Sequence, residues 1–392
     1  MSMRYPAGFI RPGYDPLKNP DAPTIGTVTG GDNSAAVAFT APSNTGGSTV
    51  SAYYAVSNPG GITASGATSP VSVAGLTNGT PYTFTVWALN TYGPGPYSAA
   101  SGSVTPAAPR AVFVAGAYSA TNYNIMDYVT ISSTGDATDF GDYSSGKRYV
   151  GGCSSSTRGV FGGGEPSVSV ALRFLTIATT GNTTSFGNLN TSADKAAACA
   201  NSTRGLFSMF ESGNNSIDYI TIATTGNATD FGNLTIARYF GQGSCASSAR
   251  GVWAGGTDGG AELNVIDYVT IASTGNATDF GDLTQVQSAL AGCSSDTRGL
   301  FAGGSQSPTN TISYITIAST GNATDFGDLQ SGRQGLTGTS SLVRGLFAGG
   351  GNAVDLIDYV NISSSGNAID FGNLTQARFG LASCSSAHGG LA

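Results

Sequence analysis

Few residues in this chain carry reactive groups, and nearly all of them are regularly spaced. There is one histidine, His388, and there are five cysteines, Cys153, Cys199, Cys245, Cys293 and Cys384. Aspartates stand three apart at Asp139/Asp142, Asp279/Asp282 and Asp325/Asp328, with Asp230 and Asp370 in the first slot of two further copies. A Ser-His-Asp or Cys-His relay needs a histidine fixed by a third group. A multi-histidine metal site needs more than one. His388 lies near the end of the chain, in a slot filled elsewhere by arginine, and reads as incidental. A glycosidase needs two unlike carboxylates across one cleft, whereas recurrence at strand ends fits a turn or a hydrogen bond between repeats. Calcium at the Asp-Phe-Gly-Asp turns is the alternative. The Gly-Gly runs end strands and open no helix, so they form no phosphate cradle. No catalytic residue, metal or cofactor is expected.

The spacing comes from a repeat. Arg110, Arg158, Arg204, Arg250, Arg298 and Arg344 open six copies of a motif close to Arg-Gly-Leu-Phe-Ala-Gly-Gly, at intervals of 48, 46, 46, 48 and 46 residues. Each copy continues into elements that read roughly Ile-Asp-Tyr-Val-Thr-Ile, Ser-Thr-Gly-Asn and Asp-Phe-Gly-Asp-Leu. A period near 46 built of β-type segments signals a closed or stacked repeat. The cysteines occupy one slot of it, with Thr339 in the sixth, so any two are separated by a whole repeat. A disulfide needs Cα atoms within about 7 Å, and the thiols read as small buried hydrophobes in preference to a zinc or disulfide framework.

Composition narrows the classes further. Charged residues make up 10% of the chain, the net charge is −7, and the only lysines are Lys18, Lys147 and Lys195. With no basic stripe, a nucleic-acid partner is not expected, nor is an anionic membrane surface. No segment reaches the roughly 18 apolar residues of a spanning helix, and Met1–Pro20 lacks the apolar run of a secretory signal.

Residues 1–20 hold four prolines and several aromatics without periodicity and read as an extended arm. Its Tyr5, Phe9, Ile10 and Tyr14 are the candidate anchoring residues. Residues 21–106 read as seven short strands separated by turns, a β-sandwich pattern. Leu76, Tyr82 six residues later, and the alternating Phe84, Val86 and Ala88 resemble the tyrosine corner and following strand of fibronectin type III domains. The Ala22-Pro23-Thr24 opening fits that family too, with Phe39 where it usually has tryptophan. Residues 107–109 read as a linker.

Four strands per copy, at 148–156, 158–163, 170–179 and 183–189 in one of them, suggest propeller blades over 110–392. Ser/Thr-Thr-Gly-Asn reads as a tight hairpin turn in which Gly and Asn tolerate positive φ. The arginine, the glycine doublet and the later aromatic resemble kelch repeats. The Tyr314-to-Phe326 spacing is longer than that family's, and Phe replaces Trp, so the resemblance is kelch-like. The first copy begins at a second strand and the chain ends on a lone first strand containing Cys384. That strand would complete the first blade and close a six-bladed ring; an open solenoid is the alternative. The fold expected is all-β, a fibronectin type III sandwich followed by a six-bladed kelch-like propeller.

Connections alternate between the two faces of an up-and-down blade. Those between strands one and two, and three and four, are nearly constant. The other two sets vary and must share a face, which makes it the candidate ligand-binding surface: Tyr118, Tyr123, Tyr143, Lys147, Glu165, Arg173, Lys195, Phe210, Glu211, Asp258, Glu262, Gln306, Asn310, Asn352 and Asp355. Interleaved aromatic, amide and acidic groups suit carbohydrate or protein recognition.

An arm, a fibronectin type III module and Gly/Ser/Thr-rich repeats together resemble virion proteins of tailed bacteriophages, especially those infecting cyanobacteria. That resemblance implies a non-enzymatic tail fibre, baseplate appendage or head decoration, present in multiple copies on the virion exterior. Its arm would contact other virion proteins and its propeller a host-surface glycan or protein. A purely structural subunit and a polysaccharide-degrading enzyme are the alternatives.

Overall fold

The computed structural model describes residues 17–210, 214–238, 240–306, 309–351 and 353–391. The candidate anchors Tyr5, Phe9, Ile10 and Tyr14, and the loop residues Glu211 and Asn352, lie outside them. The chain divides into two compact units between Ala108 and Pro109. Both are built of β-strands, and among the described residues the only helical element is a 3₁₀ turn at Gly389–Leu391.

Among its described residues the first unit has seven strands: β1 (Thr24–Gly31), β2 (Ser34–Thr40), β3 (Ala52–Asn58), β4 (Thr63–Gly66), β5 (Val71–Ala74), β6 (Thr83–Asn90) and β7 (Gly93–Pro94). They form sheets ordered β1-β2-β5 and β4-β3-β6-β7. Strict alternation along β2, β3 and β6 places Val37, Ala55, Phe84, Val86 and Ala88 in a shared core, as expected of half-buried strands. Phe39 lies 4.7 Å from the Tyr53 ring in that core. The Tyr82 hydroxyl accepts the Thr77 amide at 3.1 Å. After β7 the chain pairs loosely with β6, whose Phe84 and Val86 amides donate to the hydroxyls of Ser101 and Ser98.

Among its described residues the second unit holds six four-stranded antiparallel sheets and one two-stranded sheet, Ala117–Tyr118 with Thr121–Asn122. Sheet 1 comprises Ala382–Ser385, Arg110–Val114, Ile125–Thr130 and Thr138–Asp142; sheet 2, Gly151–Ser154, Arg158–Gly162, Ser169–Thr176 and Thr184–Ala193. Sheet 3 comprises Lys195–Ala200, Arg204–Phe210, Ser216–Thr221 and Thr229–Asn233; sheet 4, Gly243–Ala246, Arg250–Ala254, Val265–Thr270 and Thr278–Asp282. Sheet 5 comprises Ala291–Ser294, Arg298–Ala302, Thr311–Thr316 and Thr324–Asp328; sheet 6, Thr337–Ser340, Arg344–Ala348, Leu356–Asn361 and Ile369–Asn373. In sheet 1 the carboxy-terminal strand pairs with Arg110–Val114, aligning Cys384 with Val112. The first strands of successive sheets touch, and those of sheets 6 and 2 both touch that of sheet 1.

Apolar side chains from neighbouring sheets form the core between them. Phe140 and Met126 of sheet 1 pack with Phe161 and Leu175 of sheet 2, and Leu346 and Phe371 of sheet 6 with Phe113 and Val129 of sheet 1. The repeated polar residues join the sheets. Each opening arginine lies over the aromatic ring of its own third strand, as Arg158 does over Phe174 at 4.4 Å. It also donates to a backbone carbonyl of the next sheet: Arg158 Nη1 to Ala223 at 2.9 Å, and Arg344 Nη1 to Ile131 at 3.0 Å. Each third-strand ring meets the Phe twelve residues on edge to face.

The Ser/Thr-Thr-Gly-Asn element differs from the expected tight hairpin turn. The turn itself sits earlier, with the Ser133 amide bonded to Thr130. The Gly-Asn segment instead runs beside the outermost strand of the preceding sheet: Gly181 N donates to Phe140 O at 2.7 Å, and Asn182 Oδ1 accepts the Asp142 amide at 2.9 Å. The glycine has positive φ at Gly181 but the asparagine does not, because the segment must extend to reach its neighbour's edge. These contacts cover the edges that a sheet otherwise exposes.

Candidate ligand-binding face

Several candidates prove to be framework. Tyr143 occupies the slot of Leu189, Leu234 and Leu283. It is buried edge-on against Phe161, where burial pushes its hydroxyl pKa up. The volume of the slot, between two sheets, makes it a core residue and removes it from the binding face. Lys147 is buried as well, its Nζ donating to Gly164 O at 3.0 Å and Ser167 O at 2.9 Å, and burial lowers its pKa. It fills the position of Arg333 and Arg378, which, with Arg238, pair with the third-strand aspartates Asp358, Asp127 and Asp267 at 2.9, 2.8 and 2.7 Å. In sheet 2 that aspartate is replaced by Arg173, which is half-buried and has no ion pair among the described residues. Backbone carbonyls therefore take over as partners for Lys147.

Asp258 is exposed and caps its own loop, accepting the Gly260 and Ala261 amides at 2.9 and 2.8 Å, contacts that lower its pKa. Tyr123 is half-buried and its backbone bonds Gly116 and Lys147. Asn310 and Asp355 are exposed, and their carbonyls accept the amides of Leu329 and Leu374. The Phe210 side chain lies outside the described residues.

Two groups of candidates do come together. Glu165 receives Arg148 at 2.7 Å and Lys195 at 2.9 Å, and Lys195 also reaches Asp194 at 3.2 Å. Burial opposes ionisation of Glu165, but the bonds and charges of Lys195 and Arg148 outweigh it and hold the carboxyl below its ordinary range. In the second group, Glu262 accepts the hydroxyls of Ser288 and Ser305 and the amide of Gln306. Those bonds outweigh burial and lower its pKa.

Four side chains that sequence reasoning passed over complete the surface. Tyr149 meets Phe240 edge-on at 5.1 Å and Phe379 at 6.2 Å. The Arg148 guanidinium lies over both Tyr149 and Phe379, at 5.5 and 5.8 Å, and Lys195 lies over Phe240 at 5.6 Å. With the exposed Tyr118 and Gln334, these rings line a depression of about 490 Å³. Tyr149 and Phe240 also border a narrower space of about 130 Å³ between the first strands. Beyond it a third space is lined by the cysteine and serine rows and by His388. There His388 Nε2 meets Ser154 O at 2.8 Å, and the Gly390 amide donates to Nδ1 at 3.2 Å. The signal for the rings was available: four and five residues before the cysteine slot the copies are not constant, holding Tyr, Lys, Ala or Gly at one position and Arg, Asp, Phe, Ser or Gln at the other. Among the described residues no cluster of His, Cys, Asp or Glu could hold a metal ion, and no helix is long and apolar enough to cross a membrane.

Comparison with known families assigns one part of the chain. Residues 21–103 are a fibronectin type III domain. The Tyr82–Thr77 bond and the two-sheet order agree with that assignment. On the outer side of its larger sheet, the fibronectin type III domain carries Tyr54 stacked on Trp87 at 4.1 Å, with the exposed Tyr97 edge-on to Trp87 at 6.5 Å. No curated protein matches the chain.

Proposed function

We propose that this chain is a non-enzymatic virion protein of a tailed bacteriophage, and that its second unit is a six-bladed kelch-like β-propeller that binds a host-surface glycan. The cyclic succession of first-strand contacts and the pairing of Ala382–Ser385 with Arg110–Val114 support the propeller reading. The order of arm, fibronectin type III domain and Gly/Ser/Thr-rich repeats supports the virion reading. The observation that carries the binding role is the depression lined by Tyr118, Tyr149, Phe240 and Phe379. Its size lies within the range of roughly 300–1,000 Å³ usual for small-ligand sites, which pair apolar and aromatic walls with a few polar groups. Many copies on one particle would turn weak single contacts into firm attachment.

The test is binding of the labelled full chain, multimerised on beads, to intact host cells with and without periodate oxidation of their glycans. Saturable binding lost on periodate treatment supports the reading, and absence of binding refutes it. One observation favours a second reading, a structural subunit contacting neighbouring virion proteins. Tyr97 of the fibronectin type III domain is 59% exposed beside the Tyr54–Trp87 stack, which suits a protein contact at that sheet.

A further inference from the structure

The depression over the first strands is unlike the rest of the second unit in that it does not repeat. Tyr149 stands four residues before Cys153; the same slot holds Lys195, Gly241, Ala289, Gly335 and Gly380 in the other sheets. Phe240 and Phe379 stand one residue earlier, before Gly241 and Gly380. Rings from sheets 2, 4 and 1 thus converge on a single place, and the connection between the second and third strands of sheet 1 adds Tyr118. Among the described residues the six similar sheets therefore bring these rings together at one place.

The charges beside it are paired among themselves. Arg148 and Lys195 face Glu165 and Asp194, two cations against two carboxylates within 2.7 to 3.2 Å. An acidic sugar or a phosphate would find no unmatched cation in this group and would meet two carboxylates. What remains for a ligand is aromatic surface, the Tyr118 hydroxyl, the exposed Gln334 amide and Ser119. Aromatic rings take the apolar C–H face of a pyranose, while amides and hydroxyls bond its rim. Arg148, lying over both Tyr149 and Phe379, fixes those rings before a ligand arrives, which reduces the ordering cost of binding.

We propose that this depression is a single site per chain for a neutral hexose or N-acetylhexosamine unit of a glycan, held by Tyr118, Tyr149, Phe240, Phe379 and Gln334. The inference rests on the glycan-binding reading and names its site and sugar class.

Calorimetric titration of the full chain with glucose, galactose and N-acetylglucosamine, and with glucuronic acid as the acidic counterpart, tests it. At least one neutral probe should saturate at one per chain, with glucuronic acid at least about tenfold weaker. Tyr118→Ala and Phe379→Ala should each weaken binding about tenfold. Tyr118 is half exposed, so its replacement tests the site without disturbing the core. No saturation by any neutral probe, a stoichiometry near six, preference for the acid, or unchanged affinity in both variants would overturn the proposal. Host-cell binding separates the two readings. Periodate-sensitive binding that survives both substitutions leaves the adhesin role standing and removes this site, whereas wild-type chain that binds no cells removes the adhesin role itself.

Discussion

The Cys153 thiol occupies space that only glycine at position 205 leaves open: a Cβ on Gly205 would lie 2.6 Å from its Sγ. The relationship recurs at four further junctions between successive sheets. Cys384 faces Gly159, Cys199 faces Gly251, Cys245 faces Gly299 and Cys293 faces Gly345, at 2.5 to 2.8 Å from the corresponding ideal Cβ positions. At the remaining junction, between sheets 6 and 1, Thr339 stands in the cysteine slot and Ala111 in the glycine slot. The two slots change together, as steric coupling requires.

Gly205→Ala should therefore destabilise the chain by about 1–3 kcal/mol, the usual cost of overpacking, and adding Cys153→Ala should recover most of the loss. Thermal unfolding of the two variants measures the coupling. Equal losses in the single and double variants would show that the thiol is not what crowds position 205.

Asp127 and Arg378 are both buried, at 2.8 Å, and Asp127 also accepts Thr375. Removing one partner of a buried ion pair leaves an uncompensated charge and costs about 3–5 kcal/mol, while an apolar replacement of both is often close to neutral. Asp127→Ala should lower the urea midpoint sharply. Asp127→Leu combined with Arg378→Met should restore much of it. The junction tested is the one completed by the carboxy-terminal strand.

How much of this was legible in the sequence depends on how each residue relates to the repeat. The opening arginines, the twelve-residue aromatic–Phe spacing and the strand positions recur six times, so their structural role could be read directly. Tyr143 and Lys147 misled because each is the odd member of a structural slot. Difference among copies marked them as functional, while the volume of the slot made them core. Tyr149, Phe240 and Phe379 were missed for the opposite reason. They stand four or five residues before a constant cysteine in the chain, and only the arrangement of sheets brings Phe240 and Phe379 to 5.1 and 6.2 Å from the Tyr149 ring. The inter-sheet role of Gly-Asn was also hidden, because a turn composition and a segment that reaches a neighbour's edge use the same residues.

In the fibronectin type III domain, Tyr82→Phe removes the acceptor of the Thr77 amide and nothing else. Thr77 is exposed, so water can replace the lost partner, and the expected cost is about 1 kcal/mol, the net value of a typical hydrogen bond. Hydrogen exchange followed by mass spectrometry should show faster exchange in the 76–82 loop, with β2, β3 and β6 unchanged.

His388 makes acid stability a reporter of how the chain end is seated. Its Nε2 must carry the proton to donate to Ser154 O, and Nδ1 must be unprotonated to accept the Gly390 amide. A second proton would set N–H against N–H. Burial, opposed by the weaker effect of the Ser154 carbonyl, lowers the imidazole pKa from its usual value. The unfolded chain therefore takes up a proton first as pH falls through about 6.5. The stability held by neutral His388 is complete above that pH and is lost toward the depressed folded value, by no more than about 1.4 kcal/mol per pH unit. His388→Gln keeps an amide donor and a carbonyl acceptor but cannot titrate. Melting temperature measured from pH 8 to pH 5 should fall less steeply in the variant than in the wild type, and parallel curves would assign the acid sensitivity to the carboxylates instead.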